Sequence, residues 1–216
     1  FQPHHANRAP LWSRGLGDVY KRQFQPSRAY TAKALKGALI PECTMATIVL
    51  ALGGSLLRPE VEERHVWLEE LVSIIRDRIL VDDRIGIVVG GGAAAREGIN
   101  LARPIIDNED RLDRIGIAAT RLNATMIRES LADAGVMVSG TIPHSINEAT
   151  MLFDERPVVV MGGTKPGHTT DAVAIRLAIA SGAERCIICT NVDRVYDSDP
   201  SAVSYTHLTL PTNREV

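Results

Sequence analysis

The chain has 216 residues, of which 45% are hydrophobic and 23% charged, with a formal net charge of -2. That length and balance suit one globular domain with a sizeable apolar core. The balanced charge and an aromatic content of 4% argue against a nucleic-acid partner. No apolar run approaches the roughly 20 residues that a bilayer requires, so no membrane association is expected. Three cysteines, an odd number, do not suggest a disulfide framework and favour a cytoplasmic location.

The two ends of the chain differ in composition from its middle. Residues 1–44 are rich in Arg, Lys, Pro, Ser and Ala, and regular strand–helix alternation begins at Met45. RGLGDVYKRQ (14–23) and VSYTHLTLPTN (203–213) resemble adaptor-derived strings at the edges of assembled metagenomic sequences, although an Arg-rich leader also permits a transit peptide. We therefore expect a domain over 45–200, a non-native or disordered leader (1–44), an adaptor-like tail (201–216) and a C-terminal truncation after Pro200.

Short apolar runs and helical segments alternate through the middle of the chain. The apolar runs predict five strands, TIVLAL (47–52), RIGIVV (84–89), GVMVS (135–139), PVVVM (157–161) and RCIICT (185–190). Apolar spacing predicts helices over 60–79, 93–103, 112–134, 145–153 and 170–181. Gly135 and Gly182 stand where helix C-caps are expected. The predicted fold class is α/β, a three-layer α/β/α sandwich around a mainly parallel sheet.

Three of the predicted strands end in glycine clusters, at residues 53–55, 90–92 and 162–164. Sheets of this kind bind ligands outside the carboxyl ends of their strands. Glycine lets backbone N–H groups approach a ligand closely, and a following helix N-terminus adds positive potential. A tight turn explains one such cluster equally well, but three at one sheet edge predict a ligand with several phosphates. Neither G-x-G-x-x-G nor G-x-x-x-x-G-K-[ST] occurs there, which argues against a dinucleotide fold and a P-loop.

The third glycine cluster opens the segment GGTKPGHTTDAVA (162–174), which is unusually rich in functional groups. Lys165 supplies a cation, Pro166 stiffens the turn, and the two threonines at 169 and 170 offer hydroxyl groups at a helix start. A carboxylate beside an anion site is repulsive unless it organises a cation, so Asp171 is predicted to position a lysine, Mg²⁺ or a ligand hydroxyl. The alternative is that Thr170 or Asp171 only caps the helix.

Four segments together carry a resemblance to a known family. Residues 87–96, LDRIGIAATRLNA (112–124), GGTKPGHTTDAVA (162–174) and TNVDRVYDSDP (190–200) resemble archaeal-type uridylate kinases of the amino acid kinase superfamily. The resemblance spans about Met45 to Pro200. It implies ATP-dependent phosphoryl transfer to UMP, giving UDP for pyrimidine nucleotide biosynthesis, with Mg²⁺ carried by the nucleotide. It also implies the amino acid kinase-like three-layer fold and a homohexamer.

The same resemblance implies roles for the residues that match the motifs. Those expected to hold UMP are Gly91, Asp113, Gly163, Thr164, Lys165, Pro166, Gly167, His168, Thr169 and Thr170. Those expected to hold ATP are Gly53, Gly54, Ser55, Gly92, Arg96, Thr190, Tyr196 and Asp199. Asp171 matches the family's catalytic organiser, with Lys165 and Arg96 as catalytic cations, and no protein-bound metal site is expected. For Asp113, a helix-start charge is the alternative.

The chain departs from the family pattern at two positions. Many superfamily members have a lysine in the first strand where this chain has Ala51, and Arg194 stands where a glycine is common. Lys165 is the only lysine between residues 45 and 200. We hypothesise that Lys165 supplies part of the missing charge at the phosphates, with Arg96 as the competing candidate and a solvated loop lysine as the structural alternative.

Other interpretations of the motifs stay open. Cys186 and Cys189 have C-x-x-C spacing, but residues i and i+3 of a strand point to opposite faces, which favours core packing over a metal pair. Another superfamily enzyme, such as an acetylglutamate, carbamate or isopentenyl phosphate kinase, is not expected to combine LDRIGIAATRLNA with TKPGHTTD. A molybdenum-storage relative would bind oxyanions and ATP without turning over UMP. CMP as a further acceptor also remains open.

Overall fold

The computed structural model describes residues 46–57 and 64–189. Within them, four strands form one parallel sheet in the order β3-β2-β1-β4. These strands are β1 (Thr47–Leu52), β2 (Arg84–Val89), β3 (Val158–Met161) and β4 (Arg185–Cys189). Their almost continuous apolar sequences follow from burial on both faces of the sheet. Four of the five predicted strands are therefore confirmed.

The helices that the structure describes are α1 (Arg64–Ile79), α2 (Gly92–Ala102), α3 (Glu109–Asp133), α4 (Ile146–Glu155) and α5 (Thr170–Ala180). A short 3-10 helix (Gly54–Leu57) follows β1. The predicted C-cap glycines are confirmed, because Gly135 and Gly182 follow α3 and α5 with φ angles of +79° and +64°. None of these helices combines the length and apolar character needed to cross a bilayer.

Two apolar layers enclose the sheet. On one face, alternate residues of the strands pack against α1 and α3, in a cluster that includes Leu50, Ile87, Leu71 and Ile127. On the other face, the intervening strand residues pack against α4 and α5; this cluster contains Val49, Ala51, Val88, Val159, Met161, Ala149, Phe153, Val173 and Leu177. The predicted three-layer arrangement is confirmed by this division.

The predicted strand over 135–139 is wrong. Only Val138 forms a parallel bridge, with Val158, at the outer edge of β3. The backbone N–H groups of Gly135 and Val136 instead donate to Ala132 and Leu131 at the end of α3. A helix-terminating turn of this kind uses N–H groups that a β-ladder would need. Val136 and Val138 are buried in the core and Met137 is exposed, and the segment does not become a strand.

Candidate active site

The glycine loops that follow β1 and β2 meet backbone to backbone at the carboxyl edge of the sheet. The Gly90 N–H donates to Leu52 O at 2.8 Å, which aligns the two strand ends. A Cβ atom on Gly54 would lie 2.0 Å from Gly92 N, and one on Gly92 would lie 2.2 Å from Gly54 O. Gly92 also has a φ of +59°. No residue with a side chain fits at either contact, so the close approach requires glycine.

The second glycine loop leads directly into α2. Its N-cap residue, Gly91, offers no side-chain acceptor to the first turn of this helix. The backbone N–H groups there are free of a side-chain cap and lie beside the loop after β1. A helix N-terminus of this type attracts phosphate oxygens through its N–H groups and its dipole.

The third loop, residues 162–169, is fastened to α3 by two hydrogen bonds. The Gly163 N–H donates to Thr120 Oγ1 at 2.7 Å, and the Gly167 N–H donates to Asp113 Oδ2 at 2.7 Å. The two acceptors lie seven residues apart on one face of α3, about two helical turns. The loop that follows β3 is therefore held over the N-terminal half of α3, beside the loop that follows β2.

Asp113 thus has a structural contact besides any contact with a ligand. It stands in the second turn of α3, whose N-cap is Asn108. Its carboxylate therefore acts on the 162–169 loop and does not cap the helix. The helix-start interpretation of Asp113 is wrong, and ribose recognition stays a prediction.

The start of α5 brings three polar side chains together. Thr169 is the N-cap, because its hydroxyl accepts from the Ala172 N–H at 3.2 Å. The alternative that Thr170 or Asp171 caps the helix is therefore wrong. Thr170 Oγ1 lies 3.2 Å from the position that a Cβ on Gly90 would occupy. It thus faces the loop after β2.

Asp171 is half-buried at the same edge of the sheet. Burial raises the pKa of this carboxyl. No residue within 46–57 or 64–189 forms a hydrogen bond or ion pair with its side chain. A carboxylate held partly away from water without a partner costs stability, and such costs concentrate at functional sites.

Two residues of α3 support the glycine loops and were not singled out from the sequence. Thr120 holds Gly163, as described above. The Asn123 side-chain amide donates to the carbonyls of Gly90 and Gly91, at 2.8 and 3.1 Å. The signal was present in LDRIGIAATRLNA, because positions 113, 120 and 123 fall on one helical face.

The candidate cations Arg96 and Lys165 are both exposed, on α2 and on the 162–169 loop. Neither forms an ion pair or hydrogen bond with any residue that the structure describes. Ala51 is fully buried in the layer that packs against α5. β1 therefore presents no cation at the carboxyl edge of the sheet.

The remaining predicted site residues are placed as follows. Gly53 and Ser55 follow β1, with Ser55 in the 3-10 helix, and Pro166 lies half-buried within the third loop. The predicted ATP-side residues Thr190, Tyr196 and Asp199 lie outside the described residues, as does Arg194.

The C-x-x-C pair packs into the two sides of the sheet. Cys189 belongs to the layer with α1 and α3, and Cys186 packs on the layer with α4 and α5. Core packing, as predicted for these cysteines, is confirmed. Burial raises the pKa of Cys186 to about 11, with a further contribution from the Asp171 charge. Within the described part of the chain, no group of three His, Cys, Asp or Glu residues is arranged to hold a metal ion.

Comparison with known proteins identifies the family. The model of the amino acid kinase family matches residues 46–213. The chain belongs to the amino acid kinase family. Two similar curated members are the uridylate kinases of Methanocaldococcus jannaschii, 40% identical over 154 residues, and Archaeoglobus fulgidus, 43% identical over 165 residues. The matches cover 71% and 74% of this chain and 67% and 71% of those relatives. The uridylate kinase of Thermoplasma volcanium is 43% identical, over 72% of this chain and 65% of its own length.

Two solved structures agree with this fold. The crystal structure of uridylate kinase from Archaeoglobus fulgidus matches with a TM-score of 0.62 and 41% identity, over 74% of this chain and 70% of that one. UMP kinase from Ureaplasma parvum matches with a TM-score of 0.56 and 22% identity, over 71% of this chain and 73% of that one. At that identity the match supports the fold alone. The resemblance that the four motifs indicated is confirmed. The chain spans about two thirds of the length of its curated relatives.

Proposed function

We propose that this chain is a uridylate kinase that transfers the γ-phosphoryl group of ATP to UMP, giving UDP and ADP. The observation that carries the proposal is the fastening of the 162–169 loop to α3 through Asp113, at 2.7 Å, beside the paired glycine loops. The loops that follow β3, β2 and β1 thus lie side by side along the carboxyl edge of the sheet, which supports three neighbouring anion-binding loops. Its relatives named uridylate kinase supply the identity of the acceptor.

The chemistry of phosphoryl transfer fits these groups. The acceptor phosphate has a second pKa of about 6 and is already ionised near neutral pH, so no general base is needed to make a nucleophile. Catalysis then consists of holding two anions in line and neutralising charge in the transition state. Backbone N–H groups, threonine hydroxyls and cations do this, and the three loops, with Arg96 on α2, offer groups of these kinds.

The proposed residue roles combine the family motifs with the positions of the loops. We assign the acceptor UMP to Gly91, Asp113 and the segment 163–170, and the ATP phosphates to Gly92, Arg96 and residues 53–55. Asp171, in the first turn of α5, would orient the reacting groups. Thr190, Tyr196 and Asp199 remain proposals for the ATP nucleoside from the family motif alone.

Magnesium would arrive with ATP. Mg²⁺ prefers oxygen ligands and commonly keeps water and phosphate oxygens with only one or two carboxylates. Asp171 is a half-buried carboxylate of this kind, without a partner among the described residues. We propose that it faces the metal–nucleotide complex and that the phosphates complete the ligand set.

The charge that Ala51 does not supply is proposed to come from Lys165, with Arg96 as the other candidate. Replacement of Lys165 by alanine should lower turnover more than about threefold, a loss above roughly 0.7 kcal/mol. Arg76→Ala, an exposed cation on α1, is the control and should leave turnover unchanged. If the turnover of Lys165→Ala stays within about threefold of the parent's, the Lys165 hypothesis is wrong and Arg96 is the candidate left to test.

The cellular setting follows from the proposed reaction. UDP is a precursor of UTP and CTP, so we propose a place in pyrimidine nucleotide biosynthesis in the cytoplasm. A homohexamer is proposed from the family resemblance, and light scattering of the purified chain at several concentrations tests it.

The experiment that tests the function is an acceptor panel with MgATP and coupled detection of ADP. UMP should give the highest kcat/KM, and Asp171→Asn should lower kcat at least about a hundredfold, as the loss of one electrostatic contact to the reacting group does in other enzymes. Asp77→Asn, an exposed carboxylate on α1, is the matched control. Preference for acetylglutamate, carbamate or isopentenyl phosphate, or nucleotide-dependent molybdate loading without turnover, would reject the proposal; CMP turnover alongside UMP would only broaden it.

A further inference from the structure

A single amide side chain holds the backbone of the loop that follows β2. The Nδ2 group of Asn123, on α3, donates to Gly90 O at 2.8 Å and to Gly91 O at 3.1 Å. Carbonyl oxygens only accept hydrogen bonds, so the NH2 end of the amide has to face them, because its oxygen in that place would bring three acceptors together. Asn123 thus holds two successive carbonyl groups toward α3.

The direction of these carbonyl groups fixes the direction of the N–H groups that follow them. Both peptides are trans, and a planar trans peptide points its N–H opposite to its C=O. Gly91 has αR dihedrals, with φ -80° and ψ -28°, in which successive carbonyls point in nearly the same direction. Gly91 O also accepts from the Ala95 N–H at 3.3 Å, along α2. The N–H groups of Gly91 and Gly92 therefore point together away from Asn123.

These two N–H groups have no acceptor among the residues that the structure describes. Gly90 is buried, whereas Gly91 and Gly92 are only half-buried at the carboxyl edge of the sheet. An αR residue followed by the left-handed φ of Gly92, +59°, is also the order of conformations that forms anion-binding nests. The loop therefore presents a pair of nearly parallel donors to an anion.

The function proposed above assigns Gly91 to the acceptor and Gly92 to the ATP phosphates. In the transfer, an oxygen of the acceptor phosphate forms a bond to the γ-phosphorus, while the bond from that phosphorus to the β,γ-bridging oxygen breaks and its electron pair leaves with ADP. We propose that Asn123 is a positioning residue for this step, because it points the N–H groups of Gly91 and Gly92 together at the phosphoryl group in transit. The proposal rests on the proposed function for the identity of the two phosphates.

Donors that are fixed in this way act mainly on the rate of the reaction. Charge is redistributed over the phosphoryl oxygens in the transition state, and N–H groups that need no reorientation at that moment stabilise it. A hydrogen bond that only satisfies the buried carbonyl of Gly90 would instead add to the stability of the fold and leave kcat unchanged. A positioning role and a purely structural role of Asn123 thus predict different kinetics.

The first test removes the donor and measures kcat and KM separately. Asn123→Leu keeps the approximate size of the side chain without the amide, and Asn123→Asp keeps its shape but turns an acceptor toward the two carbonyls. In variants that circular dichroism shows to be folded, kcat should fall at least about tenfold, with KM for UMP and for MgATP within about threefold of the parent. Asn147→Leu, at an exposed position of α4, is the matched control and should leave both constants unchanged.

The second test observes the two N–H groups without either substrate. Inorganic pyrophosphate is titrated into the nitrogen-15-labelled, ligand-free chain, and the amide signals of Gly91 and Gly92 are followed by NMR. Both amide protons should shift downfield together in the parent, and the shifts should be lost in Asn123→Leu. If neither signal responds in the parent, the proposal is overturned, and this result stands even where a variant fails to fold.

The outcomes separate a positioning role from the alternatives. If kcat of folded Asn123→Leu stays within about threefold of the parent's, the two hydrogen bonds only stabilise the loop and the proposal is wrong. A raised KM for UMP or MgATP with unchanged kcat overturns it as well, since the donors then serve binding alone. If the parent turns over no UMP while its Gly91 and Gly92 amides respond to pyrophosphate and lose the response in Asn123→Leu, the proposed function is rejected and the orientation of the two donors by Asn123 stands.

Discussion

The backbone contact between Gly54 and Gly92 predicts a large and specific cost for one methyl group. A Cβ on Gly92 would lie 2.2 Å from Gly54 O, and the residue has a φ of +59°. The positive φ costs a side chain about 1–2 kcal/mol. The added Cβ would overlap backbone atoms of Gly54, so a rotamer change cannot remove the clash. Moving the backbone to remove it adds about 1–3 kcal/mol. Gly92→Ala should therefore lower the free energy of unfolding by about 2–5 kcal/mol.

Two other glycines separate these contributions in the same urea-unfolding assay. Gly135 has a φ of +79° but no atom within 4 Å of the position that a Cβ would take, so Gly135→Ala should show only the backbone cost of about 1–2 kcal/mol. Gly140 has open space and no positive φ, so Gly140→Ala should change stability by less than about 0.5 kcal/mol. If Gly92→Ala is no worse than Gly135→Ala, the two glycine loops do not touch as described.

Further predictions concern the loop after β3 and the buried edge of the sheet. Thr120→Val should destabilise by about 1–3 kcal/mol because it strips the acceptor from the Gly163 N–H, while Thr125→Val on the exposed side of α3 should be near neutral in thermal unfolding. Burial raises the pKa of Asp171, so the folded chain retains a proton that the unfolded chain releases, and stability falls as pH rises from the unfolded pKa of about 3.9 through the raised value. In Asp171→Asn this loss should disappear, and an equal pH dependence in both proteins would contradict it. Since burial raises the pKa of Cys186 to about 11, its alkylation at pH 8, followed by peptide mapping, should be slow in the folded chain and fast in urea.

The sheet was predictable from sequence because its strands are buried on both faces. Runs such as TIVLAL and RIGIVV have almost no polar interruption, and the strand bounds agree with them residue for residue. The segment 135–139 has the same apolar character but follows directly on a helix end. A helix-terminating turn and a β-ladder compete there for the same N–H groups, and tertiary structure decides between them. Composition alone therefore predicts the wrong structure for this segment.

The site was predictable at the level of loops and less so at the level of contacts. Glycine clusters at strand ends and the T-T-D triplet lie at one edge of the sheet, where the sequence predicts the site. Which member of that triplet caps α5 depends on the backbone at Thr169, whose φ and ψ of -78° and 160° are those of an N-cap. The hydrogen bonds of Thr120 with Gly163 and of Asn123 with Gly90 join residues more than thirty positions apart in the sequence. Only the packing of α3 beneath the loops brings these residues within hydrogen-bonding distance.

The most direct test of the proposed acceptor site is a calorimetric titration of UMP into the folded chain and into Asp113→Ala, with GMP as the comparison ligand. We expect selective binding of UMP by the parent. The variant should bind at least about tenfold more weakly, the loss of a charge-assisted contact, because Asp113 fastens Gly167 and is proposed to contact the acceptor nucleotide. Equal affinity of parent and variant for UMP, or no UMP binding by a folded parent, would contradict the placement of the acceptor site in the 162–169 loop.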